Sequence, residues 1–277
     1  MNKKALYGIL IVLVLPLASY FLLKSSTDLA TATPRHYIPD STIVVTKKGK
    51  EYVDTIWHKV ADFSLKDHLG RTVSWKDMEG KVIVADFFFT HCPTICPTLT
   101  ELMRDLQIGI KSSDKAGNRD ANFVQFLSFS IDPERDSVAA LKKWADRFQV
   151  NPQNWLLLTG DKKQIYDLSV KEMKVPAEDG GVIDSNFIHT DVFVLLDKYK
   201  NIRGYYHSLI TDPKTGAWRP DTVSLAKLQK DIIFLSLEKD PHRKFFLADQ
   251  LDLIVIVFGV AILGLFFLFM FLKKEKQ

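Results

Sequence analysis

Two uncharged apolar runs bracket this chain and constrain what lies between them. Ala5–Leu23 (ALYGILIVLVLPLASYFLL) and Leu253–Leu272 (LIVIVFGVAILGLFFLFMFL) each approach the ~20 residues that cross a hydrocarbon core, so both are expected to be transmembrane helices. Lys3 and Lys4 also suit a signal peptide. The run exceeds the usual ~7–15 residues, however, and no small-x-small cleavage site follows it, so an uncleaved anchor is the expectation. No cysteine follows the run either, which argues against a lipid-modified N-terminus.

The formal net charge of +4 resides in the two tails, leaving residues 5–272 neutral, so the charge gives no support for nucleic-acid binding. Basic flanks stay on the cytoplasmic side. The expected placement is a bacterial inner membrane, with both termini cytoplasmic and the central domain in the periplasm. Membrane lipid is then a partner through both helices. Nothing near the N-terminus is Arg-rich and amphipathic like an organelle transit peptide.

Composition and pattern divide the chain into an anchor (1–24), a polar tether (25–50), a folded domain (51–238), a charged linker (239–252), and a second helix with its tail (253–277). Within the domain, 61–75 carries a hairpin turn at Asp67–Gly70. Residues 81–89 (KVIVADFFF) form an apolar run of the kind buried on both faces of a sheet. Leu99, Leu102, Met103, Leu106 and Ile110 follow at helical spacing, with Thr98 and Glu101 set as a capping box. Strand 123–131, helices 136–148 and 164–173, paired strands 191–197 and 202–210, and a closing helix 222–237 complete the pattern. The expected fold is an α/β sandwich with a mixed central sheet.

Cys92 and Cys96 are the only cysteines, and they sit together in DFFFTHCPTICPTLTEL, between a strand and a helix. Open α/β sheets place their sites there, and a helix N-terminus favours thiolate over thiol. Three readings stand. A structural disulfide closing so short a loop contributes only about 2 kcal/mol. Thiol–disulfide exchange normally uses a C-x-x-C pair, with Cys92 attacking and Cys96 resolving, and here the spacing is one residue wider. A metal site would join two soft thiolates to one imidazole, a set that suits Cu(I), whereas zinc usually takes a fourth ligand.

Of the seven histidines, His36 and His242 fall in the expected tethers, His68 in a turn, His207 in a strand, and His58 at the start of the domain. His91 adjoins Cys92, where neighbouring side chains often point apart. His189 is the favoured third ligand, since it follows PAEDGGVIDSNF and immediately precedes the strand DVFVLLD. In thioredoxin-like folds the loop before that strand faces the cysteine turn. Thiol oxidoreductases carry a cis-proline there, and this chain has none.

The stretches FSLKDHLGRTVSWKDMEGKVIVADFFFTHCPTICP, SIDPERDSVAAL and FIHTDVFVLLD together resemble the Sco/SenC copper-chaperone proteins of cytochrome oxidase assembly. The resemblance implies a thioredoxin-like fold and one copper ion, Cu(I) and in some states Cu(II), bound through Cys92, Cys96 and His189. It also implies a partner, the copper-centre subunit of a haem-copper oxidase, to which copper is delivered or whose cysteines are reduced beforehand. A metallochaperone is the expected role, a periplasmic thiol–disulfide reductase the alternative, and an assembly scaffold a third possibility. Asp132, Arg135 and Asp136 are candidates for partner docking or for shaping the site, with Asp136 also a candidate cap of the next helix. Two departures stand out: Thr94 replaces the family's usual Asp between the cysteines, and the second transmembrane helix is atypical.

Overall fold

The computed structural model describes residues 33–47, 49–114, 123–175, 191–238 and 259. None of the described helices is long and apolar enough to cross a membrane, and both expected transmembrane runs lie outside the described residues apart from Gly259. His189 and His242 also lie outside them.

An antiparallel hairpin comes first, β1 (Pro39–Lys47) with β2 (Lys50–Trp57). The tether expected over 25–50 is therefore corrected for its described part, because 33–47 belongs to the fold. Alternating Thr, Ile and Val give residues 41–46 strand character that the surrounding polar residues disguise. Next come β3 (Leu65–Asp67), β4 (Thr72–Val73), a single 3₁₀ turn (Trp75–Met78) and β5 (Val82–Phe88). Helix α1 (Cys96–Asp114), β6 (Val124–Ser130), α2 (Val138–Phe148) and β7 (Trp155–Thr159) follow. Helix α3 (Lys162–Tyr166) continues as a π-turn over Asp167–Glu172. The chain ends in β8 (Val192–Leu196), β9 (Ile202–His207), β10 (Leu209–Thr211), β11 (Trp218–Pro220) and α4 (Thr222–Leu237).

The main sheet has the order β4-β3-β7-β6-β5-β8-β9. Strands β5, β6 and β7 are parallel, and β3, β4, β8 and β9 join antiparallel, giving the expected mixed sheet. Every residue of β5, β6 and β7 is buried, as a strand covered by helices on both faces requires. Strand β7 is the element that periodicity does not announce: five residues, WLLLT, too short for alternation to show. Leu99, Met103, Leu106 and Ile110 of α1 are buried as their spacing predicts, and Leu102 packs at the margin.

Two expected caps are corrected. Helix α1 starts at Cys96, with Leu99 N–H donating to the Ile95 carbonyl at 2.9 Å, so Thr98 lies inside the first turn and Glu101 in the second, and neither is placed at the cap. Ser137 caps α2, accepting from Ala140 N–H, while Asp136 turns inward to other donors.

At the end of the sheet opposite the cysteines, buried Asp197 closes the β8–β9 turn. It accepts from Arg203 Nη1 at 3.0 Å, from the Asn201 and Tyr199 N–H groups, and pairs with His36 at 3.6 Å. Burial pushes its carboxyl up, but the donors from His36, Asn201 and Arg203 together outweigh burial and hold it at about 2. Its unfolded value of 3.8 is higher, so its contribution is full above pH ~4 and lost as pH falls through ~2. Asp197→Ala, which leaves Arg203 buried without its carboxylate, should lower stability at pH 7 by about 3 kcal/mol. In urea unfolding curves this deficit should narrow by about 2 kcal/mol between pH 4 and pH 2. A deficit independent of pH would refute the linkage.

Candidate metal centre

Strand β5 runs through the middle of the sheet and delivers the chain to the cysteine turn. Beyond Phe88, whose carbonyl accepts from Ile131 N–H at 3.0 Å, the backbone is held by Asp136. This fully buried carboxylate accepts from Thr90 N–H at 3.0 Å, from the Thr90 hydroxyl at 2.5 Å and from the Ser130 hydroxyl at 2.6 Å. The ends of β5 and β6 are thereby tied to one group. Asp136 N–H donates back to the Asp132 carbonyl at 2.8 Å, and Arg135, half exposed, forms an ion pair with the Asp132 carboxylate. Of the three candidates in this segment, Asp136 shapes the turn, Asp132 supports it, and Arg135 presents its guanidinium at the surface.

Both cysteines are buried, and neither is part of a disulfide. Cys96 opens α1, and its N–H donates to Cys92 Sγ at 3.4 Å, so the Cys92 sulfur satisfies one of the helix's unpaired N–H groups. Thr94 Oγ1 lies 3.6 Å from the same sulfur. The first turn of α1 is locked in place because Thr100 Oγ1 donates to the Cys96 carbonyl at 2.8 Å and receives the Trp144 indole N–H at 3.1 Å.

This environment separates the two thiols. The Cys96 S–H donates to Cys92 and draws its pKa down to about 4. Burial opposes this, and the N–H groups of Cys96 and Thr94 with the Thr94 hydroxyl add to it. Cys96 moves the opposite way, far above the ordinary thiol range, because its proton is given to Cys92 and because burial and the nearby Cys92 charge disfavour a second anion. At neutral pH the pair carries one negative charge and one proton shared between two sulfurs. Such a pair is at once a nucleophile with a resolving partner and a soft donor set that loses one proton when both sulfurs bind a cation.

One contributor escaped sequence reasoning. Asp86 lies in β5, wholly buried, with Oδ1 lacking a hydrogen-bond partner. Burial pushes its carboxyl up to about 7, against the Ser128 hydroxyl and its own backbone N–H, and its charge helps hold the Cys96 proton in place. The signal was available: a carboxylate in the middle of an otherwise apolar strand.

The described histidines all have other engagements. His36 stacks on Trp57 at 4.8 Å, His58 lies between Asp40 (3.0 Å) and Glu172 (3.3 Å), and His207 sits 3.1 Å from Asp191. Buried His68 accepts Leu157 N–H at 3.2 Å, and burial lowers its basicity. Exposed His91 directs Nδ1 toward Thr90 and Asp136. Among the described residues no group of three His, Cys, Asp or Glu side chains is arranged to hold a metal. His189 lies outside them, but β8 pairs with β5 through Ala85 and Val194, so the chain enters β8 at Asp191 on the cysteine end of the sheet.

The proton-sharing pair predicts the thiolate absorbance at 240 nm. The wild type should show one thiolate per chain at neutral pH, titrating near pH 4. Cys96→Ala, which removes the leading donor, should shift that midpoint upward, and Cys92→Ala should abolish the neutral-pH signal. Two ordinary titrations near pH 8–9 in the wild type would contradict the arrangement.

The family model described as SCO1/SenC matches residues 56–217, more than half of the chain. The SCO1 protein homolog of Bacillus subtilis is 34% identical over 178 residues, covering 61% of this chain and 88% of that protein. The solved structure of BsSco, described as a member of the Sco family of cytochrome c oxidase assembly proteins with a disulfide switch, is 30% identical. It covers 66% of this chain and 96% of its own, with a TM-score of 0.52. A ScoI of Arabidopsis thaliana solved with copper bound is 25% identical, covering 62% and 97%, with a TM-score of 0.48. The architecture shared with BsSco is the thioredoxin-like α/β fold with a mixed central sheet. By the extent of the model match, and by its likeness to the B. subtilis homolog, the chain belongs to the SCO1/SenC family.

Proposed function

We propose that this protein carries copper for the assembly of cytochrome c oxidase, holding Cu(I) as cargo between Cys92 and Cys96 with His189 as third ligand. The observation that carries the reading is the cysteine pair itself: two buried sulfurs at a helix N-terminus, one already thiolate and the other giving up its proton on binding. Soft thiolates with one imidazole prefer Cu(I) to harder ions. The description of BsSco as belonging to a family of cytochrome c oxidase assembly proteins supports the destination, a copper-centre subunit of a haem-copper oxidase.

The protein works outside the cytoplasm, tethered by 5–23 and 253–272, with 24–32 as the tether and 239–252 as the linker. A three-ligand site lets a partner's ligand enter while His189 leaves, so copper passes without being released to water. Arg135 docks the receiving subunit beside the cysteine turn, and Asp136 keeps that turn in position.

A second reading is favoured by one specific observation. A low-pKa Cys92 donor-bonded to a protonated Cys96 is also the arrangement of a dithiol reductase, and BsSco is described as containing a disulfide switch. Cys92 would attack a disulfide of the target subunit and release one target thiol, Cys96 would resolve the mixed disulfide and release the second, and two electrons would pass to the target dithiol as this protein is oxidised to its Cys92–Cys96 disulfide.

Anaerobic Cu(I) titration against a competing chelator separates the two. The copper reading expects tight one-to-one binding, lost in Cys92→Ser or Cys96→Ser and weakened at least about tenfold in His189→Ala. Arg135→Ala should keep full affinity but slow transfer to the oxidase subunit. Weak binding that ignores His189, with disulfide exchange intact in His189→Ala, would move the reductase reading to the front.

A further inference from the structure

The described chain enters and leaves its fold at the end of the sheet remote from the cysteines. Arg203 of β9 donates from Nε and Nη2 to the Pro34 carbonyl at 2.9 and 2.6 Å, and Tyr37 N–H donates to the Ile202 carbonyl at 3.2 Å. Ile202 pairs with Leu196, which in turn pairs with Ile83 near the start of β5, five residues and ~17 Å from its cysteine end. Helix α4 begins at the cysteine end, where Asp221 N–H meets the Ser208 carbonyl, and runs alongside α1, with Gln229 beside Gly109. Its last residue, Leu237, therefore lies at the remote end as well.

The β1–β2 hairpin rises from this same end. Its base is fixed by His58 N–H to the Ile38 carbonyl (2.9 Å), by Val60 N–H to the Lys200 carbonyl (3.1 Å), and by the His58–Asp40 contact. Beyond the base it is a two-stranded ribbon, and neither strand pairs with a further strand among the described residues. Val44 and Val53 are paired on one face at 65% and 74% exposure, and Ile43, Tyr52 and Ile56 are exposed on the other. Lone hairpins are marginal in water, and apolar groups exposed on both faces make this one poorly suited to it. The connecting sequence is Lys47-Lys48-Gly49-Lys50, with Gly49 at φ +74°, and Arg35 and Lys59 are exposed near the base. Glu51 and Asp54 are the acidic residues of the upper ribbon, leaving its tip net basic. The family match begins at residue 56, within β2, so most of the ribbon lies outside the matched residues.

Exposed valines and a tyrosine behind a lysine-bearing tip match an anionic bilayer interface, where apolar groups reach past the headgroups and lysines pair with phosphates. Reach agrees with this. Residues 24–32 separate the first apolar run from the described fold, at most ~30 Å when extended. We infer that the β1–β2 hairpin is a lipid-docking ribbon that rests in the anionic headgroup layer and holds the Cys92–Cys96 end of the sheet away from the bilayer, facing the aqueous side. This rests on the membrane-anchored reading above, and it gives a tethered domain one fixed orientation toward a soluble partner surface.

The test uses the full chain reconstituted in vesicles, with a photoreactive benzophenone side chain replacing Val53 or, separately, Trp218, an exposed residue at the cysteine end. In phosphatidylglycerol-containing vesicles, position 53 should give lipid adducts and position 218 should not. Changing Lys47, Lys48 and Lys50 together to Gln should cut the position-53 adduct about fivefold there and leave it unchanged in phosphatidylcholine alone. Equal labelling at both positions, a chain-to-chain cross-link at 53, or no lipid adduct would overturn the inference. An alkaline carbonate wash reports separately on anchoring. A chain that resists extraction yet shows no adduct at 53 is anchored without a docked ribbon, and a chain that is extracted fails the anchor reading whatever position 53 shows.

Discussion

One buried carboxylate holds the functional end of this protein together. Asp136 takes three hydrogen bonds, two from Thr90 at the end of β5 and one from Ser130 at the end of β6. Without it, the turn that carries Cys92 would be fastened only by its own short-range bonds and the first turn of α1. Because the group is fully buried, each lost donor would also leave an unsatisfied partner, which costs more than a surface contact would. The sheet thus acts as a rigid base, and the chemistry sits on a turn clamped from beneath.

What that turn presents is an asymmetric pair. The Cys96 thiol and the N–H groups of Cys96 and Thr94 concentrate negative charge on Cys92, while the hydrogen bond to Cys92, burial and the Cys92 charge keep the proton on Cys96, with Asp86 adding to them. The same asymmetry serves cation binding and disulfide exchange, since both need one sulfur ready and one sulfur able to follow. Thr94 fits within this arrangement: its hydroxyl lies 3.6 Å from Cys92 Sγ and adds no charge, whereas an Asp there would set a like charge beside the thiolate.

Much of the fold was legible because its strongest elements carry period and punctuation. Closing helix 222–237 appears over those same residues, and the buried run 81–89 becomes β5. What was not legible depended on partners distant in sequence. Asp136 looks like a helix cap because Asp before a helix usually is one; only the approach of Thr90 and Ser130 turns it inward. Strand β7 is too short to show a period. Residues 39–47 read as tether because charged neighbours on both sides mask a strand that owes its place to pairing with 50–57. For the site, the cysteine pair was plain from position alone, while Asp86 was hidden in an apolar strand although its charge marked it. His189 remains an assignment from sequence and from the side of the sheet on which β8 begins.

The central claim is that both sulfurs and one imidazole hold a single copper ion. X-ray absorption at the copper edge of the Cu(I)-loaded full chain tests it most directly. The account predicts two sulfur neighbours and one nitrogen neighbour per copper, with the nitrogen contribution lost in His189→Ala. A copper shell containing one sulfur or none, or a nitrogen contribution unchanged in that variant, would contradict it.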